Sequence, residues 1–122
     1  MNIEEFREFC LSIKGSEESI SLQTHKILVF KVMGKVFVYL TLEPEDEVFK
    51  AYLKCDTERS VKLRERYNGI NPDKFKTLLW NWVTLESDVS DEVIKELVQH
   101  SADEVVKKLP KKKQTEYQNS NS

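Results

Sequence analysis

The chain has 122 residues, 39% apolar and 33% charged, a balance that predicts one globular domain and excludes a chain too polar to build a core. No apolar run approaches the ~18 residues of a membrane span. The opening Asn2-Ile3-Glu4-Glu5 also lacks the cationic then apolar order of a secretion leader, so a cytoplasmic protein without membrane contact is expected. The formal charge of −2 excludes the uniform basicity of a general nucleic-acid coat, though not a local cationic site.

In chain order, Ile3, Phe6, Phe9, Cys10 and Ile13 recur at helical spacing, with Glu4, Glu5 and Glu8 on the opposite face. Asn2 can cap this helix and Gly15 can end it. A polar stretch follows from Ser16 to Gln23. Lys26 to Val32 and Val36 to Leu42 are rich in the residues that fit a pleated surface, and Met33-Gly34 between them predicts a hairpin turn. After an acidic loop with Pro44, Phe49 to Cys55 alternates Phe49, Ala51, Leu53 and Cys55 against Lys50, Tyr52 and Lys54, so its two faces meet different surroundings.

A short helix is predicted from Asp56 or Thr57 through Arg66, closed by the Asn68-Gly69 turn, with a loop at Asn71-Pro72. Leu79 to Leu85 reads as a strand carrying Trp80 and Trp82. The last long helix starts at Asp88 or Ser90 and runs to about Lys108, with Val93, Ile94, Leu97, Val98, Ala102, Val105, Val106 and Leu109 as its apolar stripe. Pro110 stops it. Residues 1–110 are thus expected as a single domain, and Lys111 to Ser122 as a disordered tail without apolar periodicity. Two terminal helices that each need one apolar surface, with strands between them, predict an α+β two-layer sandwich in which the helices pack on one face of an antiparallel sheet.

The net charge hides an alternation of −4 over residues 1–49, +4 over 50–76, −6 over 77–106 and +4 over 107–122. The second block holds Lys50, Lys54, Arg59, Lys62, Arg64, Arg66, Lys74 and Lys76. On a helix at ~100° per residue, Arg59, Lys62 and Arg66 fall within an arc of about 60°. Three such cations can grip phosphates, or can form a solvated face laced by Glu58 and Glu65. Lys50, Tyr52 and Lys54 share one strand face, a composition suited to backbone contact with base stacking. Trp80 and Trp82 extend that surface only if the strand register turns them the same way; otherwise they belong to the core. Lys107, Lys108, Lys111, Lys112 and Lys113 form a second cationic run, which complements a helix C-terminus or serves as a flexible arm for nucleic acid.

No catalytic motif assembles, and the three glycines, Gly15, Gly34 and Gly69, are each explicable as a helix end or turn and form no phosphate loop. A non-enzymatic protein without cofactor is therefore expected. Cys10 and Cys55 show no CxxC pairing and read as buried thiols. His25, Cys55, His100 and Cys10 stand on four different segments, so no metal site is expected, and His100 reads as a hydrogen-bonded structural histidine.

Several strings in this order resemble the bacterial YjbR or MmcQ family. They are Ile3-Glu4-Glu5-Phe6-Arg7-Glu8-Phe9-Cys10-Leu11-Ser12, Leu28-Val29-Phe30-Lys31-Val32 with Gly34-Lys35, Leu53-Lys54-Cys55-Asp56 with Leu63-Arg64-Glu65-Arg66-Tyr67, Trp80-Asn81, Leu97-Val98 with His100-Ser101, and Leu109-Pro110-Lys111-Lys112. The resemblance implies a frataxin-like (CyaY-like) fold and a DNA-binding role, proposed for the family from a winged arrangement of hairpins beside a short cationic helix. By position, Lys54, Arg59, Lys62, Arg64 and Arg66 match the family's cationic segment, and Trp80 its tryptophan. The chain departs from the family at Ser21-Leu22-Gln23, where a Pro-Phe-Gly string is usual, and at Lys74-Phe75-Lys76-Thr77-Leu78-Leu79, where a His-Met-Asn-Lys-x-His string is usual. The second departure keeps positive charge and loses polar readers, which favours backbone grip over base readout.

The expected function is low-affinity DNA binding by a monomer, with Lys54, Arg59, Lys62, Arg64, Arg66, Lys74, Lys76 and Trp80 as the contact residues. No small-molecule substrate is evident. The alternative is a frataxin-like acidic surface of Glu4, Glu5 and Glu8 for a metal cation or a protein partner, or an interaction module with neither ligand.

Overall fold

A computed structural model describes residues 1–21, 26–44, 47–72 and 79–119. Asn2 caps the first helix, α1 (Ile3–Ser12), by accepting from the Glu5 backbone, while the Glu5 carboxylate accepts from the Asn2 backbone. The strands β1 (Ser16–Ile20), β2 (Ile27–Val32), β3 (Lys35–Thr41) and β4 (Lys50–Lys54) follow, then α2 (Thr57–Arg66), β5 (Ile70–Pro72), β6 (Trp80–Thr84), α3 (Asp91–Lys107) and α4 (Lys111–Gln118). All strand pairs are antiparallel, in the order β1-β2-β3-β4-β6-β5. This is the expected α+β architecture, with α1, α2 and α3 on one face of the sheet.

Register explains which side chains meet the helices. Phe30, Val38, Leu53 and Asn81 pair across neighbouring strands in one row, and Leu28, Leu40, Ala51 and Val83 in another. All eight are buried, and they pack with Phe6 and Cys10 of α1 and Ile94, Leu97, Val98 and Ala102 of α3. Between Phe30 and Lys31 the register of β2 against β3 shifts, which leaves Phe37 as an extra residue. The buried Ser101 hydroxyl donates to the Phe37 carbonyl (2.7 Å) and accepts from the Lys54 backbone (2.9 Å), so a polar residue inside the α3 stripe ties the bulge to the helix. Met33 (φ 50°) and Gly34 (φ 80°) both occupy the left-handed region, as the two-residue turn between β2 and β3 demands.

Three expectations are corrected. The polar stretch after Gly15 contains β1, whose Ser-Glu-Glu-Ser-Ile sequence lacks apolar alternation because it is an edge strand paired only with β2. The Asn71-Pro72 loop is the short edge strand β5, a position that tolerates a proline without a ladder donor. Residues 111–118 of the expected disordered tail are helical, and Tyr117 explains why: its ring is partly buried, its hydroxyl donates to the Lys14 carbonyl (3.0 Å), and the Lys14 ammonium sits 4.9 Å from its ring centre. One aromatic anchor carries no periodicity, so composition could not reveal it. Among the described residues, no helix is long and apolar enough to cross a membrane.

Candidate nucleic-acid interface

The opposite face of the sheet is not covered by α1, α2 or α3. Its central row is Val29, Tyr39, Tyr52 and Trp82, and Lys54 stands beside Trp80 one pair further on. The register of β6 thus turns both tryptophans the same way as Lys50, Tyr52 and Lys54. The rings form one half-buried cluster: Tyr52 stacks on Trp80 at 5.0 Å and lies 4.6 Å from Trp82, while Tyr39 meets Tyr52 at 6.0 Å and Trp80 edge-on at 5.7 Å.

At the end of the sheet where β3 and β6 begin, a cleft of about 490 Å³ opens beside this cluster. Tyr39 and Trp80 form its aromatic wall, and Lys35, Lys54 and Lys108 supply three cations. None of these three lysines has an ion-pair partner among the described residues. A second groove of about 430 Å³, lined by Lys31 and Val29, shares Val36 and Tyr39 with the first, so the two flank the same side chains along the open face.

The predicted contact residues are divided between two surfaces. Lys54 and Trp80 meet in the cleft. Arg59, Lys62 and Arg66 lie on α2, which packs behind the sheet: Leu63 of α2 lines a small internal cavity with Leu53, Val83 and Leu97. Arg59 pairs with Glu96 of α3 (3.8 Å), Lys62 pairs with Glu58 (3.4 Å), and the Arg66 guanidinium lies 5.3 Å from the Tyr67 ring centre. Lys54 thus stands on the open face, and Arg59, Lys62 and Arg66 stand on the helix of the covered side. Arg64 turns inward; its guanidinium donates to the Asn81 side chain (2.6 Å) and the Trp80 carbonyl (3.1 Å), and Asn81 in turn donates to the Ser60 hydroxyl (2.9 Å). This network holds α2 against β6. Lys74 and Lys76 lie outside the described residues.

Sequence reasoning missed Tyr39 and Lys35, and placed Lys108 in the C-terminal cationic run and not beside Lys54. Tyr39 was legible as the polar-tipped position between Val38 and Leu40, whereas Lys35 and Lys108 are 73 positions apart and only tertiary packing joins them. The acidic helix face is partly occupied: Glu5 is held in the α1 cap, and Glu18 of β1 receives a two-pronged hydrogen bond from Arg7. Of the four residues considered for a metal, Cys10 lies in the core, where burial pushes its thiol far up, and His25 is outside the described residues. Cys55 and His100 do meet, together with Asp56.

A family model described as YjbR matches residues 11–103. A crystal structure of the Deinococcus radiodurans protein DR2400, described with the family domain DUF419, is 27% identical, covers 99% of this chain and 91% of that one, and superposes with a TM-score of 0.83. A protein from Pseudomonas syringae shares the fold at 20% identity, over 84% of this chain and 97% of that one, with a TM-score of 0.71. Neither description names an activity, and no curated protein matches. On a family match that spans most of the folded chain, this protein belongs to the YjbR family.

Proposed function

We propose that this protein binds DNA weakly as a monomer, with the open face of the sheet and the adjoining cleft as the seat of binding and α2 as a minor contributor. The observation that carries the reading is the meeting of Lys35, Lys54 and Lys108 with Tyr39 and Trp80 in one cleft. Aromatic faces accept unstacked bases of any sequence, and lysines follow the phosphates. A cleft of about 490 Å³ suits a nucleotide, within the range of ligand pockets. Stacking requires exposed bases, so single strands are preferred over duplex.

The scattered placement of the exposed apolar side chains Leu11, Ile20, Val61 and Leu79 on separate segments supports a monomer. No second reading has a comparable observation behind it.

The test is a fluorescence titration of the tryptophans with a short single-stranded oligonucleotide at several salt concentrations. Three phosphate contacts predict that log K falls against log salt with a slope of about −2. Combined reversal of Lys35, Lys54 and Lys108 to Glu should abolish binding, while reversal of Arg59, Lys62 and Arg66 should leave most of it. Absence of quenching at low salt, or loss of binding only in the α2 variant, would overturn the proposal.

A further inference from the structure

Where β4 ends and α2 begins, Asp56 is the N-cap of α2: one carboxylate oxygen, Oδ1, accepts from the Arg59 backbone at 2.9 Å. That bond turns the other, Oδ2, toward His100 of α3, whose Nε2 lies 3.1 Å away. One helical turn further along α3, Glu104 Oε1 stands 3.6 Å from the same nitrogen. The Asp56 backbone N–H also points at Nε2, at 3.3 Å. A ring nitrogen can accept from an N–H or donate to a carboxylate, and neither state satisfies a donor and two carboxylate oxygens at once. The buried Cys55 completes the group, and one ligand atom each from Cys55, Asp56 and His100 lie within 4.8 Å of one another.

The geometry points to a binding site for a zinc-class divalent cation at this junction, held by the Cys55 sulfur, the Asp56 carboxylate and the His100 imidazole, with Glu104 in reach of the fourth position. Tetrahedral zinc with such ligands separates its donor atoms by about 3.3–3.7 Å, and the two carboxylate distances to His100 already lie close to that range. Since all three ligand atoms already lie within 4.8 Å of one another, small side-chain shifts close the set on an ion. A mixed sulfur, nitrogen and oxygen set favours zinc and its transition-metal neighbours over calcium or magnesium, which prefer oxygen alone.

The bound cation takes the imidazole lone pair in place of the hydrogen bond from the Asp56 backbone and balances both carboxylates. Coordination deprotonates the Cys55 thiol, and its proton passes to solvent. An entry path exists: His100 lines an open surface cleft with Arg59, Glu96, Gln99 and Asp103, and the Asp56 side chain is 42% exposed. Binding would fasten the N-terminus of α2 to α3 on the covered side of the sheet.

The test is a titration of the reduced full-length protein with Co²⁺ alone, followed by competition with Zn²⁺. The expected result is saturation at one equivalent, with the visible bands of tetrahedral cobalt and a thiolate charge-transfer band, both erased by Zn²⁺. Cys55→Ser should remove the charge-transfer band and Cys10→Ala should keep it. His100→Gln should weaken affinity at least tenfold, and Glu104→Gln less. Circular dichroism establishes that each variant is folded; should Cys55→Ser fail to fold, the charge-transfer band in the wild type and in Cys10→Ala decides alone. Absence of that band in the wild type, its survival in folded Cys55→Ser, or weak binding at several equivalents unaltered by His100→Gln would overturn the site.

Discussion

The two faces of the sheet are written in the same alternating code and do different work. Along β4, Ala51 and Leu53 point into the core while Lys50, Tyr52 and Lys54 point away; along β6, Asn81 and Val83 are buried while Trp80 and Trp82 share the open face. The covered face is mainly apolar, with buried polar ties at Asn81 and at Ser101. The open face is aromatic, with lysines at its rim. Burial fixes the first by shape, so its residues answer for stability. The second keeps large rings half in water with no helix over them among the described residues, which costs hydrophobic stabilisation and leaves a surface able to stack with a ligand.

The sharpest way to break this contrast is to truncate neighbours on opposite faces. Leu53→Ala should cost about 2–5 kcal/mol in urea unfolding through the cavity it leaves, with oligonucleotide affinity unchanged once the variant is folded. Trp80→Ala should do the reverse, with a loss of about 1–3 kcal/mol in single-strand binding, roughly 5- to 150-fold by fluorescence or anisotropy, and a smaller loss of stability. If both variants lose only stability, the division of labour is wrong.

Arg64 and Lys54 sharpen the comparison among the cations. Arg64→Ala leaves the buried Asn81 oxygen without its partner and should destabilise the fold by about 1–3 kcal/mol, with no change in the salt slope of binding. Lys54→Gln should scarcely alter unfolding but should make that slope shallower by about 0.7.

The smallest effect concerns α4. Burial first, and Asp103 second, raise the Tyr117 hydroxyl above its ordinary value of 10.0. A raised value in the folded state means that the stabilisation is complete below the unfolded value and is lost as pH rises through the folded one. The docking of α4 should therefore weaken above pH ~10. Tyr117→Phe should remove that dependence and about 0.5–1.5 kcal/mol of stability, measured by thermal unfolding across pH.

How far the sequence could be read depends on the kind of signal each residue carries. Ile94, Leu97, Val98, Ala102 and Val105 repeat at 3.6-residue spacing, and Leu28 to Val32 is dense in β-branched and aromatic residues, so α3 and β2 were legible from local pattern alone. β1 and α4 were not, because Ser16–Ile20 is held by the edge of β2, and Lys111–Gln118 by Tyr117, by Gln114 on the Lys107 and Leu109 carbonyls and by Lys14 on the Gln118 carbonyl. In the candidate site, Lys54 and Tyr52 could be placed on one strand face by alternation, but the spacing of Arg59, Lys62 and Arg66 suggested a grip that their position behind the sheet and their pairing with Glu96 and Glu58 disfavour.

What the sequence determined by itself was α1, α2, α3 and the strands β2, β3, β4 and β6, the α+β class and the family, because periodicity, caps and characteristic strings are local properties of a chain. Only the tertiary structure decided which face each cation occupies, that Trp80 stacks on Tyr52, and that Cys55, Asp56 and His100 converge. Those facts follow from strand register and helix docking. A register shift of one residue would turn every side chain of a strand to the other face, and contacts between residues such as Cys55 and His100 have no counterpart in local pattern.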